Sequence, residues 1–83
     1  MIKMSNMLER IVSDPDIQHG KPCIKNTRTP VYVILEALSS GMTPEEIKNE
    51  YPPVDDKDIR ASLLFASLLA NEEEVPISVN PGA

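Results

Sequence analysis

Residues 43–70 read TPEEIKNEYPPVDDKDIRASLLFASLLA, and the punctuation inside this stretch decides the fold. Thr43-Pro44-Glu45-Glu46 is a capping box, with Thr43 at the N-cap, Pro44 where a missing N–H costs nothing, and Glu46 placed to reach back. Ile47 and Tyr51 then point inward, and Pro52-Pro53 stops the helix because proline cannot extend its hydrogen-bond ladder. The next helix begins near Asp55-Asp56. Asp55, Asp56 and Asp58 suit the positive end of its dipole, and it runs through Ile59 and Leu63 to about Ala70. The spacing of Ile47, Tyr51, Val54 and Ile59 matches the apolar positions that set a helix-turn-helix corner.

The last helix has two apolar faces. At about 100° per residue, Ile59, Leu63, Ala66 and Ala70 form one stripe. Ala61, Leu64 and Leu68 form another on roughly the opposite side, widened by Phe65 and Leu69. One face can pack on the rest of the protein. The other is either covered by an N-terminal β element or the Val75–Val79 stretch, or it is an interface, since so short a chain has little with which to hide it. The expected partner or dimer surface is therefore Ala61, Leu64, Phe65 and Leu68, with Val75, Ile77 and Val79 from the tail.

Working outward from the helical corner, Thr29-Pro30 signals an earlier helix, with Thr29 as its expected N-cap. Val31, Ile34, Leu35 and Leu38 follow at i, i+3, i+4 and i+7, and Gly41 closes this helix as a left-handed cap. Ile11-Val12-Ser13 and Cys23-Ile24-Lys25 are short strand candidates. Between them lie two turns, Asp14-Pro15-Asp16 and His19-Gly20-Lys21-Pro22, and Asn26 can take a positive φ in the turn that follows. Residues 1–9 show no period and are expected as a flexible arm. Residues 10–72 form a single domain, and residues 73–83 an extended tail in which Val75-Pro76-Ile77-Ser78-Val79 alternates weakly. The fold expected is mainly α: a three-helix, homeodomain-like bundle with a small N-terminal β element. All eight prolines fall outside helix interiors, which agrees with this division.

The chain has 83 residues, 13 acidic against 8 basic side chains and a net charge of −5. A core of this size contributes about 3–5 kcal/mol of net stability, so such modules often lean on a partner. The acidic balance argues against non-specific nucleic-acid binding, which depends on neutralising phosphates. Cys23 stands alone, which excludes an intrachain disulfide and fits a reducing compartment. The first residues are too polar for a signal peptide, and no apolar run is long enough to cross a membrane. A cytoplasmic protein with no membrane association is expected.

The residues that could carry chemistry are few. If the helical corner met DNA, Lys48, Lys57 and Arg60 would have to make the contacts. The start of the reading helix instead carries Asp55, Asp56 and Asp58, which repel phosphates. His19 and Cys23, with Asp14 and Asp16 nearby, lack the further Cys or His that a zinc site needs, so no metal or other cofactor is expected. Asp14, His19, Lys21 and Arg28 form the one polar cluster suited to acid–base chemistry, but nothing orients them as nucleophile, base and orienting group and so small a domain has little room for a closed pocket, so no catalytic residue is assigned and no enzymatic activity is expected. Asp14, Gly20, Pro22, Thr27 and Arg28 are read as structural turn residues, with Arg28 paired to Asp14. Gly20-Lys21-Pro22 is not a phosphate loop, lacking both the glycine spacing and a Ser or Thr after Lys21.

The pattern Ile11-x2-Asp14-Pro15-x-Ile17-x2-Gly20-Lys21-Pro22-x-Ile24-x2-Thr27-Arg28-x2-Val31, continued by Ile34-Leu35-x2-Leu38-x2-Gly41-Met42-Thr43-x-Glu45-Glu46-Ile47-x3-Tyr51-Pro52, resembles the domain-of-unknown-function family four-three-three. Asn26 departs from it, standing where the family usually has glycine, yet asparagine tolerates the same left-handed backbone. The resemblance implies a trihelical, homeodomain-like fold and an antitoxin that pairs with a PIN-like ribonuclease toxin encoded by a neighbouring gene. The expectation carried forward is an antitoxin-like protein-binding module that also self-associates. A helix-turn-helix DNA-binding autoregulator is the rival.

Overall fold

A computed structural model of the chain describes residues 4–72, the side chains of Met4 and Ser5 excepted. The order is α1 (Met4–Leu8), β1 (Ile11–Val12), β2 (Cys23–Ile24), α2 (Val31–Ser39), α3 (Pro44–Glu50) and α4 (Asp56–Glu72). β1 and β2 pair antiparallel, Ile11 opposite Ile24 and Val12 opposite Cys23. The fold is mainly helical with a small N-terminal sheet, as the residue pattern predicts, and both strands fall inside the expected segments.

Local chemistry accounts for the helix ends. At α3 the Glu46 N–H donates to Thr43 Oγ1 at 3.2 Å and the Thr43 N–H to Glu46 Oε1 at 3.0 Å, completing the capping box. α2 closes with Gly41 at φ +100°. There the Gly41 N–H donates to the Leu38 carbonyl and the Met42 N–H to the Ala37 carbonyl, both at 3.1 Å, the two bonds of a Schellman motif. At the other end of α2 the cap is Pro30, not Thr29. The Thr29 backbone is committed to the preceding turn: its carbonyl accepts from the Ile24 N–H at 2.9 Å and its N–H donates to Thr27 Oγ1 at 3.0 Å. The orphan Val31 N–H at the helix start is met by the Pro22 carbonyl at 2.9 Å, which ties the β element to α2.

The core is Ile24, Val31, Ile34, Ala37, Ile47, Val54 and Ile59, with Ile11, Leu35, Leu38, Met42, Tyr51 and Phe65 packed around it. One residue of β2 thus joins residues of all three longer helices. Each fully buried isoleucine contributes roughly 1.5–3 kcal/mol relative to exposure.

Beyond the α2 cap, the first residues and the last helix also differ from the sequence expectation. The expected arm contains α1, which packs on α4. Five residues make about one and a half helical turns, too few for an apolar repeat to be read. The rotation of α4 also differs. Ala61, expected on the outer face, is fully buried at 0% exposure, whereas Leu63, expected to face inward, is 49% exposed, and Ala70 is exposed. The buried face runs through Asp58, Ile59, Ala61 and Ser62. Two of these are polar, and each has a local partner. The Ser62 hydroxyl donates to the Asp58 carbonyl at 3.0 Å, and the Asp58 carboxylate accepts from the Asp55 N–H at 3.0 Å.

Candidate functional site

α4 packs against α1 and against α2, and beside each contact an apolar hollow remains. The first, about 330 Å³, is lined by Leu8, Ile11, Phe65, Leu68, Leu69 and Glu72. The second, also about 330 Å³, is lined by Lys21, Pro22, Val31, Tyr32, Leu35, Phe65 and Leu69. Phe65 and Leu69 line both, so the two hollows adjoin across these side chains and are referred to together as the furrow. Tyr32 is 45% and Leu69 42% exposed, while Phe65 is half-buried and packs inward onto the core. Lys21 Nζ stands 4.8 Å from the centroid of the Tyr32 ring, a cation–π contact at the furrow's edge.

Of the residues expected at an interface, Phe65 and Leu68 line this furrow, and Leu64 is half-buried outside its lining. Ala61 is in the interior and unavailable. Val75, Ile77 and Val79 lie outside the described residues. Tyr32 and Leu35 from α2 and Leu8 from α1 complete the lining beyond the residues that periodicity marks. Tyr32 carries a signal in the sequence: an aromatic one position beyond the inward Val31–Ile34–Leu38 stripe must point elsewhere.

Of the three cations expected to meet DNA, Lys48 is engaged by carboxylates. Lys48 Nζ lies 2.7 Å from Glu45 Oε1 and 3.2 Å from Asp56 Oδ1, and these contacts, Glu45 first, raise its pKa. Lys48 thus acts as a clasp between α3 and the start of α4. Lys57 and Arg60 are exposed. Asp58 and Asp55 cap one another's backbone N–H groups, and the Asp58 N–H bond holds the Asp55 carboxyl below its ordinary pKa, with the nearby Arg10 charge adding to the effect.

Arg28 does not pair with Asp14. Asp14 Oδ1 accepts from the Asp16 N–H at 2.9 Å, an Asx-type turn that leaves the β element to be pinned another way. The pinning ion pair is Arg10 with Asp58 at 3.0 Å and Asp55 at 3.4 Å. Gly20 takes φ +81°, and Gln18 and His19 are also left-handed, at +51° and +56°. Burial raises the Cys23 thiol above its ordinary pKa. Among the described residues no group of His, Cys, Asp and Glu is placed to hold a metal ion, and no helix is long and apolar enough to cross a membrane.

The family model described as protein of unknown function (DUF433) matches residues 11–66. A curated relative, the uncharacterized protein y4eO of Sinorhizobium fredii, is 33% identical over 58 residues, which are 70% of this chain and 26% of that protein, so the chain spans about a quarter of its length. A crystal structure of a DUF433 member protein from Anabaena variabilis superposes with a TM-score of 0.69 at 25% identity, covering 81% of this chain and 67% of that one.

Proposed function

The chain belongs to the DUF433 family of proteins of unknown function, and from that premise we propose that it is an antitoxin-like protein-binding module that neutralises a PIN-like ribonuclease toxin. The observation that carries this reading is the furrow centred on Phe65. Its apolar lining includes side chains left nearly half exposed, so a partner laid over it would remove further apolar area from water. A partner helix or strand laid between α2 and α4 would cover Tyr32 and Leu69 and meet the ammonium of Lys21 at the edge. Val75, Ile77 and Val79, which follow α4 in sequence, are further apolar candidates for the same partner. The net charge of −5 complements a basic, RNA-handling toxin surface and speeds encounter. The module acts in the cytoplasm by binding, without a cofactor, and a second copy of the chain is a further occupant of the same furrow.

The rival, a DNA-binding autoregulator, has Lys57 and Arg60 exposed in its favour, and against it the engagement of Lys48 by two carboxylates. Co-expression with the product of the neighbouring gene tests the leading reading. A stable complex with suppressed ribonuclease activity is expected, lost in Tyr32→Glu and Leu69→Glu. A chain that ignores that product, yet shifts its own promoter fragment with a steep salt dependence, overturns it in favour of the rival.

A further inference from the structure

The β element carries a second concavity. Ile11 lines the furrow and its neighbour Val12 lines this other cleft, in keeping with the alternation of side chains along a strand. The cleft encloses about 590 Å³. Val12, Ile17 and Cys23 give it apolar walls, and the turn after β2 brings Lys25 and Arg28 to its edge. Both cations are exposed, and neither has an ion pair among the described residues. Asp14 also lines the cleft, but its Oδ1 already accepts the Asp16 N–H, so one engaged carboxylate faces two cations.

The turn that presents these cations is held tightly. Thr27 Oγ1 donates to the Ile24 carbonyl at 2.7 Å and accepts from the Thr29 N–H at 3.0 Å. Gln18 Nε2 donates to the Arg28 carbonyl at 3.3 Å, joining the left-handed Gln18–Gly20 segment to the turn. Asn26 sits at φ +64°, the left-handed conformation that asparagine tolerates. A backbone fixed in this way loses little entropy when it binds.

We propose that this cleft captures an acidic peptide segment of a partner protein. Arg28 receives a carboxylate through two parallel N–H donors, Lys25 supplies the second charge, and an aliphatic neighbour in the peptide lies against Val12 and Ile17. Nucleic acid is less well served: no aromatic side chain lines the cleft for base stacking, Asp14 lies within it, and the chain is acidic. The inference goes beyond the furrow, since it concerns other residues and a different chemistry.

The test is an amide NMR titration of the full chain with an acetylated, amidated tetrapeptide alternating leucine and glutamate. Saturable shifts confined to Val12, Ile17 and residues 25–28 are expected. The glutamine version of the peptide should bind about tenfold or more weakly, as loss of a charge-assisted hydrogen bond requires. Arg28→Gln and Lys25→Gln should each weaken the glutamate peptide by a similar factor while leaving the unfolding midpoint in place. Equal binding of the glutamine peptide overturns the proposal, as does no localised shift at millimolar peptide. Tighter binding of inorganic phosphate or a short single-stranded oligonucleotide at the same residues also overturns it. Because Tyr32 and Leu69 are read in the co-expression experiment and not here, either reading can fail while the other stands.

Discussion

Arg10 Nη1 lies 3.0 Å from Asp58 Oδ1, and through that contact the residue before β1 is fastened to the first turn of α4. Asp58 is nearly buried and holds two partners at once, its Oδ2 accepting the Asp55 N–H at 3.0 Å while Oδ1 takes the guanidinium. Arg10 in turn offers its backbone carbonyl to the Lys25 N–H at 2.8 Å. One short chain of bonds therefore links the sheet, the turn bearing Lys25 and the start of the longest helix.

Asp58→Ala removes the bond to the Asp55 N–H and the closer of the two Arg10 contacts together, and should lower unfolding free energy by about 2–3 kcal/mol. Arg10→Ala should cost about 1 kcal/mol, because its side chain is 34% exposed and Asp58 keeps its backbone donor. Urea denaturation of both variants checks the order. A smaller loss for Asp58→Ala than for Arg10→Ala would show that the contact is not centred on the carboxylate.

The rotation of α4 gives a second pair of substitutions. Ala61 is fully enclosed, so Ala61→Leu must force its neighbours apart and should destabilise by about 1–3 kcal/mol. Leu63 is half exposed, so Leu63→Ala should stay within about 0.5 kcal/mol of the parent. Matched thermal melts distinguish the two rotations of the helix, since an inward Leu63 would reverse the ranking.

What could be read in the sequence was whatever local chemistry decides. Thr43 and Glu46 cap α3 because both partners lie within four residues, and Gly41 takes the left-handed conformation that a helix end requires. The rotation of α4 escaped because its inward face includes Asp58 and Ser62. Their polarity is satisfied by bonds to nearby backbone, so the hydrophobic repeat alone points to Leu63 instead. Arg10 pairs with Asp58 across 48 positions, and nothing in the spacing distinguishes it from the expected Arg28–Asp14 pair. The furrow was half legible. Phe65 and Leu68 follow from helical periodicity, whereas Tyr32 and Leu8 enter only once α2 and α1 are placed beside α4.

Acid should weaken the fold through its two helix caps. The Asp58 N–H lowers the Asp55 pKa, and the Thr43 backbone N–H and then its hydroxyl lower that of Glu46. Each depressed group stabilises fully above its unfolded value, about 3.9 for Asp and about 4.3 for Glu, and that contribution is lost as pH falls through the lower folded value. The difference in unfolding midpoint between the parent and Asp55→Asn, and likewise Glu46→Gln, should therefore narrow as pH drops below about 4. A gap that widens on acidification contradicts the assignment.

The furrow makes the last demand, because a surface used for binding and one used for folding respond differently to charge. Tyr32 and Leu69 are nearly half exposed and outside the buried core, so Tyr32→Glu and Leu69→Glu should each change stability by no more than about 0.5 kcal/mol. Phe65 packs on the core as well as lining both hollows, and Phe65→Ala should cost about 3 kcal/mol or somewhat less, given its partial burial. Analytical ultracentrifugation with the neighbouring gene product then separates the roles. The two glutamate variants should stay folded and lose the complex, because a carboxylate desolvated against Phe65 and Leu35 costs more than the apolar contact it replaces contributes. If both variants stay folded and still form the complex, the partner binds elsewhere and the exposed tyrosine and leucine are ordinary surface.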